Sequence, residues 1–172
     1  MKNIKDLFIV AFFVLTLFSI VSANDYPIKG SKSFSIGSNS GLTFKKNISD
    51  KTAMYLGFTF NRYGVSDVNV ATAKRNNISL SIGVRKYITG TTLKNYIDCE
   101  LRDEYMYYEH SDVYTNTVNL NISYGIEYFI SKNVSIEGKS GANLGYRKLG
   151  SGIYKELSFS APTTNIAVSY YY

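Results

Sequence analysis

The sequence predicts an all-β fold: an antiparallel up-and-down transmembrane β-barrel, best described with eight strands. Three observations carry this. Apolar and polar residues alternate with a period of two through almost the whole chain after residue 33. Short polar turns and longer polar loops separate the alternating stretches in turn, as in barrels whose two rims differ. The last ten residues, Thr163 to Tyr172, place Ile166, Val168, Tyr170 and Tyr172 on one strand face and Asn165, Ala167, Ser169 and Tyr171 on the other. They therefore end an amphipathic strand on an aromatic side chain.

Composition agrees with strands and with one domain. The chain has 172 residues, 16 of them Tyr and 13 Gly, with 2 Pro and no Trp. Its start reads as a signal peptide over residues 1–23. Lys2 and Lys5 form a charged region, Leu7 to Ile20 an apolar core, and Val21-Ser22-Ala23 a small-residue cleavage site. The competing reading is a membrane-anchoring helix, but the apolar core is short for a span. Residues 24–172 form the barrel domain, with no later run of about twenty apolar residues. The net charge of +6 is spread along the chain rather than clustered, which argues against nucleic-acid binding. Cys99 is the one cysteine, so no internal disulfide is expected, and none stands at the cleavage site to carry a lipid anchor.

Each element follows from the alternation. Asn24 to Lys32 is a polar lead-in containing Pro27. Phe34, Ile36, Leu42 and Phe44 mark a strand over 33–46, ending at the turn Asn47-Ile48-Ser49-Asp50. Met54, Leu56, Phe58 and Phe60 mark 52–63, followed by a polar loop from Gly64 to Arg75. Ile78, Leu80, Ile82 and Val84 mark 76–88, and Ile97, Cys99 and Leu101 mark 94–107 after a turn at Thr89-Gly90-Thr91. The clearest strand, 115–129, carries Val118, Leu120, Ile122, Tyr124, Ile126 and Tyr128. The turn Ser131-Lys132-Asn133 leads to 134–147, and a loop at Lys148 to Gly152 precedes the last strand, 154–172. In that strand the apolar positions change from odd to even near Pro162, which predicts a bulge in one long strand.

This gives seven clear strands where an even number is expected. The eighth comes from one of three places: Asn24–Lys32, a split of 33–46 at Ser38–Gly41, or a division of 154–172.

Two barrels share this pattern. A soluble lipocalin-like barrel turns the apolar face inward around a ligand; a membrane barrel turns it outward to lipid. Aromatic residues near strand ends favour the membrane. Phe44, Tyr87, Tyr96, Tyr128 and Tyr172 lie beside short turns, and Tyr63, Tyr105, Tyr107, Tyr108 and Tyr146 beside long loops, as two interfacial girdles would. The polar face then lines the lumen with Arg85, Asp98, Glu100, Arg102, Glu127, Glu137, Lys139 and Arg147. An eight-stranded lumen is about wide enough for side chains only, so Arg85, Glu127, Glu137, Lys139 and Arg147 are expected to form a hydrogen-bonded polar network that plugs it.

The stretches FKKNISDKTAMYLG (Phe44–Gly57), YFISKNVSIEG (Tyr128–Gly138) and NIAVSYYY (Asn165–Tyr172) resemble the small outer-membrane β-barrel family of the OmpX/OmpA transmembrane type. The resemblance covers essentially the whole mature chain and is specific for architecture, not for activity. It implies a bacterial outer-membrane location, contact with outer-membrane lipid, and recognition by the barrel-assembly machinery through Ile166, Val168, Tyr170 and Tyr172. Closing strands of that family usually end in Phe, where this chain has Tyr172.

Little in the chain points to chemistry. The single histidine lies in Glu109-His110-Ser111-Asp112, an expected outer loop. Some barrels of this size are lipid-modifying enzymes with His and Ser at the outer leaflet, but four neighbouring loop residues do not make a triad with an oxyanion hole. The expectation is a protein that is not an enzyme. One His and one Cys far apart fit no metal site, and no glycine-rich phosphate loop occurs, so no cofactor or metal is expected. The expected role is structural or surface-interacting, with outer loops meeting an extracellular partner; a small ion or solute pore is the main alternative.

Overall fold

A computed structural model describes residues 29–38, 41–67, 70–89, 92–108, 114–149 and 154–172. The expected signal peptide, most of the lead-in segment and the Glu109–Asp112 loop lie outside them.

Eight antiparallel strands follow one another around a closed barrel: β1 (Lys32–Gly37), β2 (Gly41–Ser49), β3 (Thr52–Asp67), β4 (Val70–Thr89), β5 (Leu93–Tyr108), β6 (Tyr114–Phe129), β7 (Val134–Leu149) and β8 (Tyr154–Tyr171). Each strand pairs with its neighbours in sequence, and β8 returns to β1 with Ser33 opposite Tyr171. Closure removes the sheet edges that an open sheet of this size would expose.

The eighth strand arises by splitting 33–46. Gly37 and Gly41 pair at the top of a tight β1–β2 hairpin, and Gly41 adopts φ +62°, a conformation that favours glycine. Residues 154–172 are not divided. Gly141 faces Thr163 whereas Asn143 faces Ser160, so β8 carries one extra residue at Ala161–Pro162, where the alternation changes parity.

A second expectation is corrected. Within the expected loop Gly64 to Arg75, residues 64–67 and 70–75 are strand: β3 and β4 continue as a paired hairpin to Asp67 and Val70. Backbone pairing persists there although the sequence turns polar. The short connections β2–β3, β4–β5 and β6–β7, with the start of β1 and the end of β8, lie at one end of the barrel, here the turn end. The other connections lie at the opposite, hairpin end.

Side-chain facing follows the period of two. Leu56, Leu80, Leu101, Leu120 and Ile122 point outward and are exposed, whereas Ser79, Arg85, Glu100, Asn119 and Glu127 point inward and are buried. The molecule is inverted relative to a soluble barrel: its apolar band is outside and its polar side chains fill the middle. Phe44, Tyr105, Tyr107, Tyr128, Tyr146 and Tyr172 stand outward as expected of girdles. Tyr87 and Tyr96 do not. They are 4% and 0% exposed inside the barrel, because they share strand parity with Arg85 and Asp98, and parity overrides their position near a turn. The side chains of Tyr63 and Tyr108 lie outside the described residues.

Two glycines make room for inward tyrosines. Tyr55 is opposite Gly83 and Tyr96 opposite Gly125, and a Cβ on either glycine would run into the facing ring.

Candidate functional site: a charged lumen

At the turn end the lumen is packed by Ala53, Tyr87 and Tyr96, and by Phe129 against Tyr171 with ring centroids 5.3 Å apart. Above this floor sit two carboxylates in register. Glu127 on β6 and Glu137 on β7 are directly opposite each other, an arrangement that repels unless cations intervene.

Two cations do so. The Arg85 Nη1 group donates to Glu127 Oε2 at 3.2 Å and also to Glu137, while Nη2 reaches Glu137 Oε1 at 3.3 Å. Its other edge grips Asp98, the residue opposite on β5, through Nε at 2.9 Å and Nη2 at 3.2 Å. The guanidinium lies 3.7 Å from the centre of the Tyr96 ring, so a planar cation is stacked as well as hydrogen-bonded. From the other side, the Lys45 Nζ approaches Glu127 at 3.2 Å and Glu137 at 3.7 Å.

Neutral donors complete Glu127. Tyr87 donates to Oε2 at 2.7 Å; Tyr171 and Ser135 each donate to Oε1 at 2.6 Å. Toward the hairpin end, Lys139 bridges Asp98 at 3.0 Å and Glu100 at 3.7 Å, and Arg102 meets Glu100 at 2.6 Å. Tyr55 and Asn121 donate to Glu100 as well.

In this network Lys45, Arg85, Arg102 and Lys139 balance Asp98, Glu100, Glu127 and Glu137. A buried charge is tolerated only when paired and hydrogen-bonded, and each carboxylate here meets both conditions. The packing leaves a cavity of about 10 Å³ among Lys45, Tyr55, Arg85, Glu137 and their neighbours. That is room for one water. Toward the hairpin end the lumen widens into a polar cavity of about 400 Å³, bordered by Glu100, Arg102, Asn121, Lys139, Asn143 and Asn165.

Of the expected lumen residues, Arg85, Glu127, Glu137 and Lys139 come together. Arg147 does not: it lies on the same face of β7 but eight residues beyond Lys139, about 27 Å along an extended strand. There it is exposed and pairs with Glu156 at 3.6 Å. Lys45, Tyr55, Ser135 and Tyr171 join the network beyond the five expected residues, and Tyr87 and Tyr96, expected in the girdles, join it too. For Lys45 a signal existed, since it shares odd parity with Ser35 and Thr43 on the polar face. Ile166, Tyr170 and Tyr172 of the closing strand point outward and are exposed, and Val168 between them is half-buried. Among the described residues no group of His, Cys, Asp and Glu could hold a metal ion.

No protein-family model matches the sequence, and no curated protein matches it. The chain is similar to the crystal structure of the N-terminal β-barrel domain of Pseudomonas aeruginosa OprF, at 13% identity and a TM-score of 0.48, covering 84% of this chain and 98% of that one.

Proposed function

We propose that this protein is an integral outer-membrane barrel that acts as a closed, rigid platform, with a structural or surface-interaction role and neither a pore nor a catalytic site. The observation that carries this reading is the pairing of a lipid-compatible apolar exterior with a charge-balanced, filled lumen. In water the apolar exterior would be a standing aggregation surface; in a bilayer it is the solvent-matched face. Contacts with an envelope or extracellular partner then fall to the hairpin end, where β3 and β4 extend as a polar hairpin. The outward Ile166, Val168, Tyr170 and Tyr172 are the candidate recognition face for barrel assembly.

The test is membrane fractionation followed by gel electrophoresis with and without boiling. A detergent-requiring outer-membrane protein whose mobility changes on heating supports the reading. A soluble protein with no mobility change contradicts it.

A further inference from the structure

The exposed charges at the turn end are mostly positive. Lys29, Lys32, Lys46, Lys51, Lys86 and Lys132 are exposed there, and among the described residues Asp50 is the exposed acid that accompanies them. Asp50 accepts from the Lys29 backbone N–H at 3.1 Å. The lumen carboxylates are buried behind the wall and paired with their own cations.

Two of these lysines are set against each other. Lys32 on β1 and Lys46 on β2 lie directly opposite on the outward face. The Lys32 N–H donates to the Tyr172 carbonyl at 3.1 Å, and its carbonyl accepts from the Tyr172 N–H at 2.9 Å. Both strand bonds of Lys32 are thus turned to β8, and Lys32 and Lys46 form a non-hydrogen-bonded pair. Such a pair brings its Cα atoms to about 4.5 Å and its side chains close together. Like charges in that position destabilise a sheet. Inside the barrel the in-register pair Glu127 and Glu137 is reconciled by two cations. Outside, among the described residues, no carboxylate pairs with Lys32 or Lys46.

The next outward residues toward the hairpin end are Phe34 on β1 and Phe44 on β2, themselves in register. They begin an apolar groove of about 680 Å³ on the outer wall, which crosses Leu56 on β3 and Leu80 on β4 and reaches Leu101 on β5. Tyr172, paired with Lys32, stands edge-on to Phe44. Asp103 borders the groove on β5. The outer wall here is cationic at one end, apolar along its middle and anionic at the other.

We propose that Lys32 and Lys46 hold the phosphate of an anionic phospholipid in the leaflet at the turn end, with an acyl chain lying in the groove that begins at Phe34 and Phe44. This rests on the membrane reading above. A hydrocarbon chain alone would fill the groove and leave the lysine pair uncompensated, whereas a free anion would compensate the pair and leave the groove to other lipids. An acidic amphiphile does both, with charge-assisted bonds from the two ammonium groups to one phosphate. The lysine stems can lie along apolar surface while their charged ends reach the headgroup level. Asp103 fixes the direction, because a phosphate at that end of the groove would be repelled.

The test uses the full barrel folded in neutral detergent and native mass spectrometry, with dioleoylphosphatidylglycerol, dioleoylphosphatidylcholine and inorganic phosphate as probes. Phosphatidylglycerol should be retained at one molecule per barrel, at least about tenfold more tightly than phosphatidylcholine. The double variant Lys32→Gln/Lys46→Gln should lose that preference while keeping the heat-dependent mobility. Lys46→Gln alone should show a smaller loss in the same direction, a reading that survives if the double variant does not fold. Lys132→Gln, which removes a lysine from the β6–β7 turn away from the groove, should leave the preference unchanged. Equal retention of the two lipids would overturn the proposal, as would a loss in Lys132→Gln as large as in the double variant, which would assign the attraction to the rim as a whole. Displacement of the lipid by equimolar phosphate would make this a free-anion site. A dimer mass with no lipid retained would make the groove an interface between copies of the chain. A barrel without heat-dependent mobility fails the membrane reading; a heat-modifiable barrel that retains neither lipid fails this proposal alone.

Discussion

Glu127 and Glu137 face each other in register across β6 and β7, and the same two cations, Arg85 and Lys45, touch both. Removing Arg85 leaves two adjacent buried carboxylates and Asp98 short of their main partner. Arg85→Ala should destabilise the barrel by about 3–5 kcal/mol, measured by urea unfolding in detergent or vesicles. Adding Glu137→Gln to that variant should recover part of the loss, because one of the repelling charges is gone. No recovery would mean that Arg85 acts through packing on Tyr96 rather than through charge.

Tyr171 and Tyr172 test the two faces of the closing strand. Tyr171 is fully buried and donates to Glu127, whereas Tyr172 is exposed and lies edge-on to Phe44 at 6.3 Å. Tyr171→Phe should cost about 1.5–3 kcal/mol, the range for a hydrogen bond to a charged group. Tyr172→Phe should be near neutral in the same unfolding assay.

Ile122 and Asn121 are neighbours in sequence on opposite faces of β6. Ile122 is exposed on the apolar band; Asn121 points into the lumen and donates to Glu100. Arg at position 122 should cost about 2–4 kcal/mol in a bilayer, as expected near the midplane. Arg at 121 should cost less, since a carboxylate is in reach. Equal costs would contradict the facing.

The filled lumen predicts electrical silence. In planar bilayers the folded protein should show no steady channel current, because the paired network side chains fill the turn end of a lumen about wide enough for side chains only. Reproducible single-channel steps would return the pore reading.

Most of the strand pattern was legible because each strand buries one face in the lumen, and a period of two survives even in polar sequence. The β1–β2 split was legible only as one of three alternatives for the eighth strand. Phe34, Ile36, Leu42 and Phe44 keep even parity across the turn, so a hairpin reads as one strand. The local signal was the Gly37-Ser38-Asn39-Ser40-Gly41 cluster, rich in turn residues. Strand continuation into Gly64–Arg75 was hidden because it rests on backbone pairing rather than on an apolar face. Inside the lumen, parity identified which charges point inward, yet height along the strand decides who meets whom, and that depends on register. Arg147 has the right parity and the wrong height. Tyr87 and Tyr96 are the converse case: both lie near a turn, yet their parity turns them into the lumen.

The most direct test uses the chain's single cysteine. Cys99 lies on the outward face of β5, exposed, opposite Val84 and Ile122 within the apolar band. A fluorophore attached there, with the barrel folded into phospholipid vesicles, can be quenched by lipids carrying a nitroxide at chosen acyl depths or by aqueous iodide. An outward apolar band predicts strongest quenching by the deep acyl-chain nitroxide and little by iodide. Strong iodide quenching with no acyl-chain quenching in a folded barrel would place this face in water and contradict the membrane-facing account.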